Sequence, residues 1–145
     1  NGRILAGARP VQLGPFKIGQ DRSFADTLQT MRTFTGRSIL NFASAQNTVI
    51  GVVATNARLD KNEVNKVAQM AHNGLALTIR PAHTMLDGDT LFALATGQHK
   101  ADVNIVGAFA AEVVARAIIA AVQNAQAVPG YPAASSYPAQ EGKHD

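Results

Sequence analysis

Two short stretches hold the side chains best suited to covalent chemistry. The first is Asn47-Thr48, at the head of the apolar run Val49 to Ala54. A threonine hydroxyl is a poor nucleophile at neutral pH and needs a base. One solution makes the threonine the first residue of a chain, so that its own α-amine takes the proton. An α-amine has a pKa of about 7.7–8.0, close to working pH. A protein built this way cuts its own precursor. Thr48 Oγ attacks the carbonyl of Asn47, an ester forms, and water releases the new amine. The ordinary reading of the same pair is a turn asparagine followed by a strand-leading threonine.

The second stretch is Leu86-Asp87-Gly88-Asp89-Thr90. Two carboxylates facing one site couple their ionisation and push one pKa up. Such a pair can orient a hydroxyl or an amine and shuttle a proton. The plain alternative is a tight turn. His83, with Asp87 and Asp89, supplies donor types that suit a divalent metal, and His72 lies one helix away as a further ligand. A hydrogen-bonded structural histidine is the alternative there. No G-x-S-x-G elbow and no phosphate-loop spacing is present.

The elements that must position these residues follow from periodicity. A short strand is expected at 3–8 and a loop at 11–22. Ser23 with Asp26 resembles a capping box for a helix ending near Gly36. Residues 38–46 read as a connector. A buried strand is predicted at 48–55, then a turn from Asn56 to Leu59. Asp60 with Glu63 caps an amphipathic helix carrying Val64, Val67, Ala68, Ala71 and Leu75 on one side. Pro81 stops it by Arg80. A loop at 80–89, a second strand at 90–96 and a polar connector at 97–101 follow. Asp102 is the expected N-cap of a long alanine-rich helix through Ala127, predicted to be largely buried. Glu112 and Arg116 at i,i+4 argue against its crossing a membrane. Residues 128–145, with three prolines, read as a disordered tail. The order gives an α/β or α+β domain, and the strand–helix–strand unit allows a parallel crossover.

Composition narrows the classes. The chain has 145 residues, 46% of them hydrophobic and 16% charged, with net charge +3. A chain of this length buries about 68–70% of its unfolded surface, enough for a real core. The basic residues are scattered, which gives nucleic-acid binding no support. The absence of cysteine excludes disulfides, thiolate zinc sites and a cysteine nucleophile. With no leader-like segment, a cytoplasmic protein is the expectation.

The stretch NTVIGVVATNARLDKNEVNKVAQMAHNGLALTIRPAHTMLDGDTLFALATG, Asn47 to Gly97, resembles the carboxy-terminal part of the DmpA-type hydrolases. These are self-processing L-aminopeptidase/D-esterases, a group that includes the nylon-oligomer hydrolase NylC. The joint pattern carries the resemblance: Asn-Thr before an apolar strand, a helix, then R-P-x-H-T, D-G-D-T and F-A-L-A-T-G in order. The resemblance implies a four-layer αββα sandwich of N-terminal-nucleophile type, cut between Asn47 and Thr48. It implies Thr48 as nucleophile and, through its amine, base, with Asp87 contacting the threonine and Asp89 in support. Substrates would be peptides or small amides, with no cofactor, no nucleic acid and no membrane, in a homo-oligomer. Residues 1–47 would then end the larger part, 48–127 would bear the nucleophile, and 128–145 would be a flexible tail. Many relatives carry Asn-Thr-Thr where this chain has Asn-Thr-Val. The serine nucleophile and Ser-x-Glu pair of the β-peptidyl branch are absent. The family's larger amino-terminal part supplies an asparagine, a lysine and a tyrosine to the site, and none of the three can be assigned in these 145 residues. Two other readings compete: a non-catalytic oligomerisation or scaffold piece, and a metal hydrolase using His83, Asp87 and Asp89.

Overall fold

The computed structural model describes residues 4–8, 11–13, 16–18, 24–33, 48–85 and 87–137. The chain divides into two compact units, residues 1–44 with 120–145, and residues 45–119. The expected connector at 38–46, Ser23, Gly36 and residues 138–145 lie outside the described residues.

In the first unit, several expectations give way. Residues 4–8 form bends and open chain, not a strand. Their backbone is engaged elsewhere, with Ala25 N–H donating to the Ala8 carbonyl at 2.8 Å. The region expected as loop contains an antiparallel hairpin, β1 (Val11–Leu13) and β2 (Phe16–Ile18), with Leu13 opposite Phe16. Only Gly14-Pro15 separates the strands, and a two-residue connection is hairpin chemistry as much as loop chemistry. Helix α1 (Thr27–Arg32) begins after Asp26, whose carboxylate accepts from Gln29 N–H at 3.1 Å. Asp26 is thus the cap itself rather than the partner of a cap at Ser23. Near the carboxy terminus, residues 128–137 are structured. Val128 and Tyr131 exchange backbone hydrogen bonds of 3.0 and 2.9 Å across Pro129-Gly130. A 3₁₀ turn covers Ala134–Ser136, and the Tyr137 ring lies 4.4 Å from that of Phe24. Prolines here make turns, and the aromatic pair anchors the segment.

The second unit is a parallel crossover. Strand β3 (Ile50–Arg58) leads into α2 (Lys61–Thr78), then β4 (Thr90–Lys100), then α3 (Val103–Asn124). β3 and β4 pair in parallel, with Ile50 beside Thr90, Val52 beside Phe92 and Ala54 beside Leu94. Both strands run further than their apolar runs. The predicted turn at 56–59 is strand up to Arg58, and the predicted connector at 97–101 is strand up to Lys100. A register shift after Thr55 makes this possible, placing Ala57 beside His99. Arg58 Nε closes it by donating to the Gly97 carbonyl at 3.3 Å.

Helix α2 opens with the full capping box. Asp60 accepts from Glu63 N–H at 2.9 Å and Glu63 accepts from Asp60 N–H at 2.8 Å. Its Val67, Ala71, Gly74 and Leu75 are buried. Val67, Ala71 and Leu75 meet Val53 of β3, Leu91 of β4, and Ala110 and Val114 of α3 in one core. Burying each larger side chain there contributes about 1.5–3 kcal/mol. The two helices approach so closely at Gly74 that a Cβ there would lie 2.5 Å from the Ala111 carbonyl oxygen and 2.8 Å from Val114 Cβ.

All core side chains of the strands point to the helical side. The alternate residues Ile50, Val52, Phe92 and Leu94 form an exposed apolar face on the other. Helix α3 starts as expected, with Asp102 accepting from Asn104 N–H at 2.8 Å. It is not largely buried: only Gly107, Ala110 and Val114 are. Alanine made every face apolar in the sequence, but only one face packs. Among the described residues this is the helix long and apolar enough to cross a membrane by length and composition. The expected Glu112–Arg116 ion pair forms on its exposed side.

Candidate active site

The parallel pairing decides what meets at the amino-terminal edge of the sheet. With Ile50 beside Thr90, the residues just ahead of the two strands are neighbours. Thr90 N–H donates to the Val49 carbonyl at 2.9 Å. Val49 N–H donates to Asp89 Oδ1 at 2.8 Å. Asp89 therefore holds the backbone directly after Thr48, and does so from a partly buried position. A hydrogen bond to a carboxylate is worth about 1.5–3 kcal/mol, enough to fix one conformation at the head of β3.

Thr48 itself is exposed. Its hydroxyl faces Gly88: a Cβ on Gly88 would lie 3.0 Å from Thr48 Oγ1. The glycine between the two aspartates thus leaves room for the hydroxyl. Thr90 Oγ1 donates to the Gly88 carbonyl at 3.2 Å and steadies the same turn. Asp87 is engaged inside its own loop. Its Oδ2 accepts from Thr84 N–H at 2.8 Å, and its N–H donates to the Thr84 carbonyl at 3.2 Å. The D-G-D segment is therefore a built turn whose first aspartate shapes the loop and whose second ties it to β3. Asn47 and Leu86 lie outside the described residues.

His83 is exposed, with φ of 59°, a left-handed backbone that histidine adopts more readily than most residues. Its ring lies 5.6 Å from that of His72 on α2. Among the described residues no group of three or more His, Asp or Glu side chains gathers at metal-binding spacing. His83, Asp87 and Asp89 thus sit on one loop without forming a ligand set.

Sequence reasoning named Thr48, Asp87 and Asp89 but missed two neighbours. Gly88 was read only as a turn residue, although a glycine between two candidate acids also marks a close approach. Thr84 stands three residues before Asp87 and gives its N–H to that carboxylate, a partner that the residue types alone did not mark. What remains is an exposed threonine at a strand head, followed by a backbone amide that one carboxylate holds.

Comparison with known proteins bears on this edge. The model of peptidase family S58 matches residues 8–135. An uncharacterized aminopeptidase of Mycobacterium tuberculosis is 47% identical over 106 residues, covering 63% of this chain and 31% of its own length. One from Mycobacterium leprae is 50% identical over 104 residues, covering 61% and 29%. A 6-aminohexanoate-oligomer endohydrolase of a Kocuria species is 34% identical over 92 residues, covering 54% and 26%. The chain spans less than a third of the length of these relatives.

Proposed function

The chain belongs to peptidase family S58, and from that membership we propose that it is the nucleophile-bearing part of a self-processing amide hydrolase. The observation that carries this reading is the head of β3, where the Thr48 hydroxyl faces Gly88 and Asp89 holds Val49 N–H.

The chemistry runs in two stages. In the precursor, Thr48 Oγ adds to the carbonyl carbon of Asn47. The peptide C–N bond breaks, the nitrogen gains a proton, and Asn47 is left as an ester on Thr48. Water hydrolyses the ester, releasing the Asn47 carboxylate and restoring the hydroxyl. The freed α-amine of Thr48 then serves as base. In turnover it takes the proton of Oγ as the hydroxyl attacks a substrate amide, and passes it to the leaving amine. The acyl-threonine ester is hydrolysed by a second water. Asp89 fixes the direction in which Thr48 leaves the strand. Asp87 is the acid proposed to orient the threonine, from a loop it also closes through Thr84. Oxyanion stabilisation is a large term in acyl transfer. We assign it to the amino-terminal part of the precursor, so residues 48–127 are one component of the site and residues 1–47 end the other.

The outward sheet face supports the four-layer αββα arrangement. Ile50, Val52, Phe92 and Leu94 are exposed on a sheet whose other side is already covered by two helices. A second sheet from the rest of the precursor would bury them. The names of the relatives point to aminopeptidase or amide-oligomer hydrolase activity, on peptides or small amides.

The test is the intact mass of full-length protein beside its Thr48→Ala variant. The wild type is expected as two pieces, the smaller beginning at Thr48, and the variant whole. If both stay whole while folded, Thr48 is a strand residue and the chain is a scaffold piece instead.

A further inference from the structure

We propose that residues 128–137 are a clasp on the products of self-cleavage, in which Tyr137 of the nucleophile-bearing piece holds Phe24 of the other. The proposal rests on the reading of Asn47–Thr48 as the cut bond. It adds the contact that governs how readily the two pieces part.

The cut and the fold divide the chain differently. Cleavage after Asn47 separates residues 1–47 from residues 48–145. The compact units do not follow that line, because residues 120–145 group with residues 1–44. One unit is therefore built from both products. Its buried apolar residues, among those described, are Ala25 and Ala133, 7% and 6% exposed, one from each side of the cut.

Both halves of the contact are built. On the amino-terminal side, Ala25 N–H donates to the Ala8 carbonyl at 2.8 Å and draws Phe24 beside residues 4–8. A Cβ on Gly7 would lie 3.6 Å from Phe24 Cβ, an ordinary contact distance. On the other side, the bridge between Val128 and Tyr131 turns the chain back. The 3₁₀ turn follows, with Ser136 N–H donating to the Ala133 carbonyl at 3.0 Å and Tyr137 N–H to the Ala134 carbonyl at 3.2 Å. These bonds fix where Tyr137 leaves the backbone. Its ring centroid lies 4.4 Å from that of Phe24, with the planes at 39°. Both side chains are half-buried. Aromatic pairs this close contribute beyond the area they bury, and tyrosine is enriched among the residues that dominate interfaces. In the whole chain this contact is intramolecular, at an effective concentration of roughly millimolar. After the cut it joins two molecules, and its own strength counts.

The test is size-exclusion chromatography of self-cleaved full-length protein in urea, at a series of protein concentrations, which yields the dissociation constant of the two pieces. Mass spectrometry verifies the cut and circular dichroism the fold. Tyr137→Ala and Phe24→Ala are each expected to raise that constant about tenfold. Tyr137→Phe keeps the ring and should stay near wild type. The double alanine variant should lose little more than either single one, since both remove the same contact. A cut and folded Tyr137→Ala variant whose pieces hold as tightly as wild type overturns the clasp and leaves the hydrolase reading standing. So do losses in the two single variants that simply add. A wild type that is never cut overturns the hydrolase reading, and the clasp with it. If either alanine variant fails to fold, the other decides, read beside Tyr137→Phe.

Discussion

Replacing Gly88 with alanine separates the chemistry of Thr48 from the stability of the fold. The new Cβ would lie 3.0 Å from Thr48 Oγ1, 3.8 Å from its Cγ2 and 4.0 Å from its Cβ. Only the contact with the hydroxyl is too close, so Oγ1 must give by a few tenths of an ångström or the side chain must turn. A misplacement of 1 Å at a reacting centre costs about a hundredfold in rate. Scaled to a few tenths, the loss is about three- to tenfold, or about 0.7–1.4 kcal/mol in the barrier. The backbone does not resist the change, because φ of Gly88 lies outside the left-handed region. Alanine at such a site stabilises by about 0.4–1 kcal/mol through the unfolded chain. The expected result is slower self-cleavage, followed by mass spectrometry of full-length protein over time, with a melting temperature equal to or above that of wild type. Cleavage at the wild-type rate would refute the placement of the hydroxyl against Gly88. A melting temperature several degrees lower would show that the glycine serves the fold.

Asp89→Ala removes the acceptor of Val49 N–H and is expected to cost about 1.5–3 kcal/mol at the head of β3. Its cleavage rate should fall about tenfold or more, while Asp89→Asn, which keeps an oxygen acceptor, loses less in both mass and melting assays. Gly74→Ala forces a Cβ against the Ala111 carbonyl and Val114. Denaturant titration should show a loss of about 1–3 kcal/mol with an unchanged m-value. Prolonged dialysis against EDTA is expected to leave cleavage and turnover unchanged, and a loss restored by a divalent cation would revive the reading of His83, Asp87 and Asp89 as ligands.

The second unit was legible because its signals are local. A run of β-branched and small apolar residues marks β3, a reciprocal Asp60–Glu63 box marks the start of α2, and Pro81 marks the limit beyond its end. What failed depended on partners. The ends of β3 and β4 are polar, and they stay in the ladder only because a register shift keeps Ala57 beside His99. The hairpin of β1 and β2 is three residues a side, too short for periodicity to show. The burial of α3 was overestimated because alanine is compatible with both a core and a helix surface, so composition cannot say which face is covered. Within the site, residue types named Thr48 and the acids. Only the pairing of two strands assigned Asp89 to the Val49 amide.

That pairing also explains why the candidate groups gather at an unusual edge. In open α/β sheets, ligands bind outside the carboxyl ends of parallel strands, where loops lead into helices. Here the candidate groups lie at the amino ends of β3 and β4, and the carboxyl ends carry Arg58 and Lys100. A base that is an α-amine can exist only where a chain begins. A chain that begins at a strand head has its first residues held by the adjacent strand's head, not by a loop at the far end. The parallel register then brings the segment before β4 alongside, so its acid, Asp89, meets the Val49 amide just ahead of β3. In an antiparallel pair the same segment would lie at the opposite edge. The crossover helix α2 is what lets one short stretch place both the candidate nucleophile and the carboxylate that holds the next amide at one edge.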